Sequence, residues 1–243
     1  MFFLARRAHA VKSLGVVTGP NGSGKTTAMR YLADHPDRCG IDGAVAYFLA
    51  ANAAGPTRGL KDFLIDRGVR QVAHQKGLST KILARLAHRE LSEHGIQMVV
   101  VDEADLLDLP SLQGFVSGFD TCRDMGYPIA VLLGGVRNPN KWINQISAAE
   151  SRTLHFHRFT ILSPELIAAI FSSWGKPMDA LAAKVKENDK GAAEVLRSIA
   201  TGTGGIFRKV YYFASLAAME HASEPITASV VDKVFKKMTR VGA

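Results

Sequence analysis

The chain has 243 residues, 47% of them hydrophobic and 21% charged, with a formal net charge of +8 and a pI near 9.6. That length and apolar content suit one sizeable core, or a core with a small satellite domain, and exclude disorder, collagen and a disulfide scaffold. The basic excess points either to a polyanionic partner, with nucleic acid foremost, or to a merely basic soluble enzyme.

The amino terminus, MFFLARRAHAVK, places apolar residues before its basic pair, the reverse of a secretory signal. No apolar run reaches the roughly 18 residues of a membrane helix. Cys39 and Cys122 lie far apart and form no CxxC pair, as expected of reduced thiols rather than a metal site or disulfide framework. A cytoplasmic protein without membrane contact is the expectation.

Residues 14–18 read as a strand that runs into a glycine-rich loop, and 25–33 as the helix after it. A second strand is predicted over 44–49, then helices near 59–67 and 79–94. The unbroken apolar run 96–101 has the pattern of a parallel strand buried on both faces. Residues 112–125 are predicted helical, 129–133 a further strand and 154–162 the last. Beyond Ser163 and Pro164, a helix-start pair, only helical patterns continue, near 164–174, 191–200, 205–221 and 228–239. The predicted fold is therefore α/β: a P-loop core over 1–162, with a parallel sheet flanked by helices, and a small helical lid over 163–243.

Residues 19–27 read GPNGSGKTT, which fits GxxxxGK[ST] between a strand and a helix. Gly19, Pro20, Asn21, Gly22, Ser23 and Gly24 would curl the backbone so that its N–H groups face phosphates. The positive end of the following helix meets the same anion. Lys25 is expected to reach the β- and γ-phosphates, Thr26 to offer its hydroxyl to Mg²⁺, and Thr27 to complete the loop. The second element, MVVVDEAD, delivers Asp102 and Glu103 at a strand's carboxyl end. Asp102 would hold the Mg²⁺ shell and Glu103 would orient the attacking water, so ATP and Mg²⁺ are the expected cofactors. Asp105 reads as a helix-start or salt-bridging residue.

GPNGSGKTT, VVVDEADLL, AVLLGG, the ESR segment and TGTGGIFRKV together resemble an AAA+ ATPase, with a likeness to the transposition regulators of the Mu B and TnsC kind. The resemblance implies slow ATP hydrolysis stimulated by DNA or a partner, and self-assembly on double-stranded DNA as a homo-oligomer, ring or helical filament. It also implies a transposase or related recombination protein as partner. Helicase loaders or replication initiators, and nucleotide-gated scaffolds with little turnover, are the alternatives. Arg152 falls where a neighbouring subunit's arginine finger is expected, with Arg158 competing, and Arg208 falls at the sensor-2 position. The family usually carries a polar sensor-1 residue after the fourth strand, but Gly134 and Gly135 stand there, with Asn138 the nearest amide. Either Asn138 acts from a later position or hydrolysis is slow. The resemblance further places Thr57, Arg58 and Lys61 in a DNA-lining segment. With the first strand predicted at 14–18, the N-terminal module that Mu B-like proteins carry is not expected here.

Three further features read as structural. His155 and His157 alternate along the last strand without enough partners for zinc. The aromatic pairs 2–3 and 211–212 fit packing, and Lys233, Lys236, Lys237 and Arg240 form a solvated basic face.

Overall fold

A computed structural model describes residues 1–51, 54–136 and 153–240. It divides into two compact units: Met1–Gly19 with Lys25–Phe159, and Pro20–Gly24 with Thr160–Ala243.

The first unit is built on a sheet of five parallel strands in the order β2-β3-β4-β1-β5. The strands are β1 (Leu14–Thr18), β2 (Ala44–Leu49), β3 (Ile96–Asp102), β4 (Ala130–Gly135) and β5 (Thr153–Arg158). Parallel strands need crossovers, and helices supply them: α1 (Phe2–Ala10), α2 (Lys25–Asp34), α3 (Arg58–Asp66), α4 (Gln71–His74), α5 (Thr80–Glu93) and α6 (Leu109–Asp124). The period of two along each strand splits the apolar run of β3 between two cores. Val99 and Val101 join Leu14, Val16, Val131 and Leu133 against α3, α5 and α6, where Phe48, Phe63, Phe115 and Phe119 interlock. Met98 and Val100 join Val17, Ala130 and Leu132 against α1 and α2, with Leu4, Ala8, Met29 and Leu32. Both faces of the central strands are dry, which is why they read as unbroken apolar runs.

The last strand ends at Arg158, four residues before the expected 162. Phe159 N still donates at 2.7 Å to the carbonyl of Thr18, the last residue of β1, and the next carbonyl, that of Gly19, accepts from Lys25 Nζ instead. Helix α6 begins at Leu109, three residues before the expected start, because Asp108 caps it by accepting from Ser111 N at 2.8 Å. Helices α1 and α4 were not foreseen. The former has a weak apolar pattern that buries only Leu4, Ala5 and Ala8, and the latter spans a single turn of four residues.

The second unit packs α7 (Pro164–Phe171), α8 (Met178–Lys186), α9 (Lys190–Thr203), α10 (Phe207–Glu220) and α11 (Ala228–Arg240) around one core. Ile167, Phe171, Leu181, Leu196, Ile199, Phe213 and Val234 fill it. Ser163 caps α7 as expected, accepting from Leu166 N. The unforeseen α8 is short, but Met178, Leu181 and Ala182 bury one face. Gly202 in TGTGG lies against the Phe235 ring, which a Cβ there would overlap, so part of that motif serves helix packing.

Candidate nucleotide site

The carboxyl edge of the parallel sheet gathers the predicted chemistry of the first unit. Strand β1 leads to Gly19, and α2 starts at Lys25 directly after the loop. Gly22 and Gly24 take φ of +75° and +93°, which side chains rarely adopt. The first N–H groups of α2 have no intrahelical acceptor, so the loop ends on a row of donors. Lys25 is only 7% exposed, and its Nζ donates to Gly19 O at 2.8 Å. Burial pushes the Lys25 ammonium below its ordinary pKa, and Asp102, Asp105 and Glu103 oppose that shift in decreasing order. A cation this short of water is a favourable partner for an incoming polyanion. Thr26 and Thr27 are exposed at the helix start.

The loop's tip, Pro20–Gly24, belongs to the second unit. There Arg208 N donates to Gly22 O at 2.9 Å, and a Cβ on Gly22 would stand 2.9 Å from the Ile206 side chain. Gly24 faces the Phe207 ring with a Cβ distance of 3.3 Å. Small residues are therefore required here both by φ and by space. Ser23 is buried, with its Oγ unpartnered among the described residues, while the Arg208 side chain is exposed.

Asp102 ends β3 and is 1% exposed. One carboxylate oxygen, Oδ1, accepts from Glu103 N at 2.9 Å, and the other, Oδ2, accepts from Tyr47 Oη at 3.0 Å. Glu103 is exposed and takes φ +54°, ψ +34°, a left-handed conformation that costs a non-glycine residue roughly 1 kcal/mol. A single 3-10 turn, Ala104–Leu106, follows. Within it Asp105 stands in the first turn, adds its charge to those acting on Lys25, and accepts from Val136 N at 3.2 Å, so the residue also holds the end of β4.

Gly134 and Gly135, expected to follow a fourth strand over 129–133, are instead the last two residues of β4. In register they lie beside Val17 and Thr18 of β1. A Cβ on Gly134 would meet Met29 of α2 at 2.6 Å and Asp102 Oδ1 at 3.3 Å. One on Gly135 would meet Asp105 Oδ1 at 2.7 Å. The space a side chain would take is already filled by the helix after the loop and by the two acidic residues.

Sequence reasoning missed Tyr47 and the part played by Asp105. The signal for Tyr47 is a lone hydroxyl in the apolar run AVAYFL, on a strand that pairs with the one ending in Asp102. Asn138 and Arg152 lie outside the described residues, as does the side chain of His155. Arg158, the competing finger, ends β5 and is exposed. Thr57 caps α3 without a side-chain bond, Arg58 pairs with Asp62 at 3.0 Å, and Lys61 donates to the carbonyls of Ala73 and Gln75. The His157 ring packs edge-on against Phe159 at 5.1 Å, and Lys237 pairs with Glu220. Among the described residues no three His, Cys, Asp or Glu side chains converge on a metal position, and no helix is long and apolar enough to cross a membrane. Mg²⁺ fits such a site, because it is commonly held by one or two protein groups together with phosphates and water.

Comparison with known proteins bears on the fold. The ORC2 protein of Aeropyrum pernix (ADPNP-ADP complexes) is similar at TM-score 0.69 and 12% identity, over 97% of this chain and 66% of that one. CDC6P from Pyrobaculum aerophilum is similar at 0.60 and 18%, over 92% and 60%. The ORC1 protein of Aeropyrum pernix in complex with DNA is similar at 0.57 and 17%, over 98% and 64%. The chain thus spans 60–66% of the length of these proteins, and the likeness is one of fold. No curated protein matches the chain. The sequence pattern of the AAA domain matches residues 8–142, which hold the glycine loop, the Asp102–Glu103 pair and the strand ending in Gly135; the chain has the AAA+ P-loop NTPase fold and belongs to the AAA domain family.

Proposed function

We propose that this chain binds ATP with Mg²⁺ and hydrolyses it to ADP and phosphate as part of an ATP-dependent activity on double-stranded DNA. The observation that carries the reading is the convergence of the buried Lys25, bonded to Gly19 O at 2.8 Å, with Asp102 and Glu103 at one sheet edge. The loop 19–24 with Lys25, Thr26 and Thr27 would hold the phosphates, and Thr26 and Asp102 would hold Mg²⁺. Mg²⁺ would supply charge neutralisation on the transferring phosphoryl group. Glu103, exposed on its left-handed turn, would position the attacking water, and Arg208 would contact nucleotide from the lid over 163–243. Arg152, or Arg158 in its place, would act on a neighbour's nucleotide, and Asn138 would serve as sensor 1.

The initiator or helicase-loader reading is the better supported for the biological role. Three of the neighbours are ORC and CDC6 proteins, one of them in complex with DNA, and the net charge of +8 suits phosphate contacts. Thr57, Arg58 and Lys61 would take part in them. A second reading, regulation of a transposase by an ATP-dependent filament, is favoured by the TGTGGIFRKV segment alone. Phosphate release measured with and without duplex DNA tests the shared claim, and stimulation by DNA supports it. A flat rate indistinguishable from background would leave a nucleotide-gated scaffold instead. Mixing Arg152→Ala with Lys25→Ala subunits tests action between subunits: partial recovery supports a finger in trans, and none under conditions where the unaltered chain hydrolyses ATP contradicts it.

A further inference from the structure

Tyr47 lies within the edge strand β2, and its hydroxyl donates to Asp102 Oδ2 at 3.0 Å. The register sets Leu49 opposite Asp102, so Tyr47, two residues earlier, projects from the same face as a diagonal neighbour. Its ring also carries a cation. The Arg30 guanidinium carbon stands 5.3 Å from the ring centroid, reaching over from α2, the helix that starts at Lys25. The second oxygen of Asp102 accepts from Glu103 N at 2.9 Å, where the backbone is already left-handed at φ +54°. A carboxylate turns on a broad, roughly two-fold torsion and has no narrow rotamer of its own. Here its two oxygens are held from two sides, in a position only 1% exposed.

We infer that Tyr47 is a positioning residue of the nucleotide site: its hydroxyl fixes the plane of Asp102 and, through Asp102, the turn that aims Glu103, while Arg30 fixes the ring. The inference rests on the reading of Asp102 as a Mg²⁺ group and of Glu103 as the water-positioning group. It joins three elements that the nucleotide site draws on, since α2 follows the loop, β3 bears the carboxylates, and β2 spans between them through one side chain. Partners of metal-binding carboxylates commonly matter to metal affinity about tenfold or more.

The test uses the full chain, a fluorescent ADP and Mg²⁺. Tyr47→Phe keeps the ring and the strand and removes only the hydroxyl. Its affinity for the nucleotide in EDTA should equal that of the unaltered chain, whereas the Mg²⁺ concentration giving half-maximal tightening should rise about tenfold. Turnover at saturating ATP should fall with little change in KM. Arg30→Met, at an exposed position, should shift the Mg²⁺ dependence in the same direction by less. An unchanged Mg²⁺ dependence in Tyr47→Phe, or an equal loss of affinity with and without Mg²⁺, overturns the relay. If the unaltered chain shows nucleotide binding insensitive both to Mg²⁺ and to Lys25→Ala, the reading of the site fails and the relay falls with it.

Discussion

A Cβ atom on Gly135 would stand 2.7 Å from Asp105 Oδ1, so the carboxylate that accepts from Val136 N reaches the end of β4 only because residue 135 has no side chain. Gly135→Ala should therefore displace Asp105 and destabilise the chain by roughly 1–3 kcal/mol, the usual range for overpacking a tight site. In an Asp105→Ala background the same substitution should cost less than half as much, because the contacts with Oδ1 and Cγ are removed and only the Cβ contact at 3.2 Å stays. Chemical denaturation of the four variants measures the coupling. Additive effects would mean that the two residues do not share the space.

The left-handed backbone at Glu103 gives a second expectation. Glycine tolerates that conformation without penalty and alanine does not. Glu103→Gly should be more stable than Glu103→Ala by about 1 kcal/mol in thermal unfolding, although both lose the carboxylate. Equal stability would contradict a strained turn.

Asp108 anchors the segment that enters α3. Its side chain accepts from Gly55 N at 2.9 Å and from Ser111 N at 2.8 Å. The Ser111 side chain, then the Gly55 and Ser111 N–H groups, hold its carboxyl below the ordinary value of 3.8. A lowered folded pKa means that the stabilisation is present above the unfolded pKa and fades as pH falls through the folded one. The melting difference between the unaltered chain and Asp108→Asn should accordingly be largest near neutrality and shrink as the pH falls below the ordinary value of 3.8. A difference constant from pH 7 to pH 2, read by circular dichroism, would show that charge plays no part.

Much of the fold was legible because burial on both sides writes itself as apolar runs. The bounds of β1 and β2 agree with the expected 14–18 and 44–49, and β3 extends the expected run by one residue, to Asp102. The glycine loop and the acidic pair were legible for a chemical reason, since phosphates demand small residues and a cation at fixed spacing. Tyr47 was hidden because its partner is 55 positions away and becomes a neighbour only through strand register. The two glycines that end the fourth strand read as an absence of sensor 1. In the structure they are spaces kept for Met29, Asp102 and Asp105, a relationship of volumes that spacing along one chain cannot express. Helices α4 and α8 escaped because four and nine residues leave little periodicity to read.

If phosphate contacts dominate recognition of DNA, as the charge of +8 and the lack of a base-reading motif favour, affinity should fall steeply with salt. A log–log slope near −0.9 for each phosphate neutralised is the expected form, with little dependence on sequence. Fluorescence anisotropy on two unrelated duplexes from low to high salt measures it. A shallow slope with strong preference for one duplex would point to base contacts instead.

The central claim is that Glu103 positions water for hydrolysis of an ATP held by the loop and Lys25. Its most direct test is to measure ATP binding and phosphate release side by side in the unaltered chain and in Glu103→Gln. Binding should be retained at equal affinity while turnover falls about 10²–10⁴-fold, because an amide cannot polarise water as a carboxylate does. Lys25→Ala serves as the binding control and should weaken ATP affinity by about two orders of magnitude. Equal turnover by Glu103→Gln and the unaltered chain, with the control behaving as stated, would contradict the assignment.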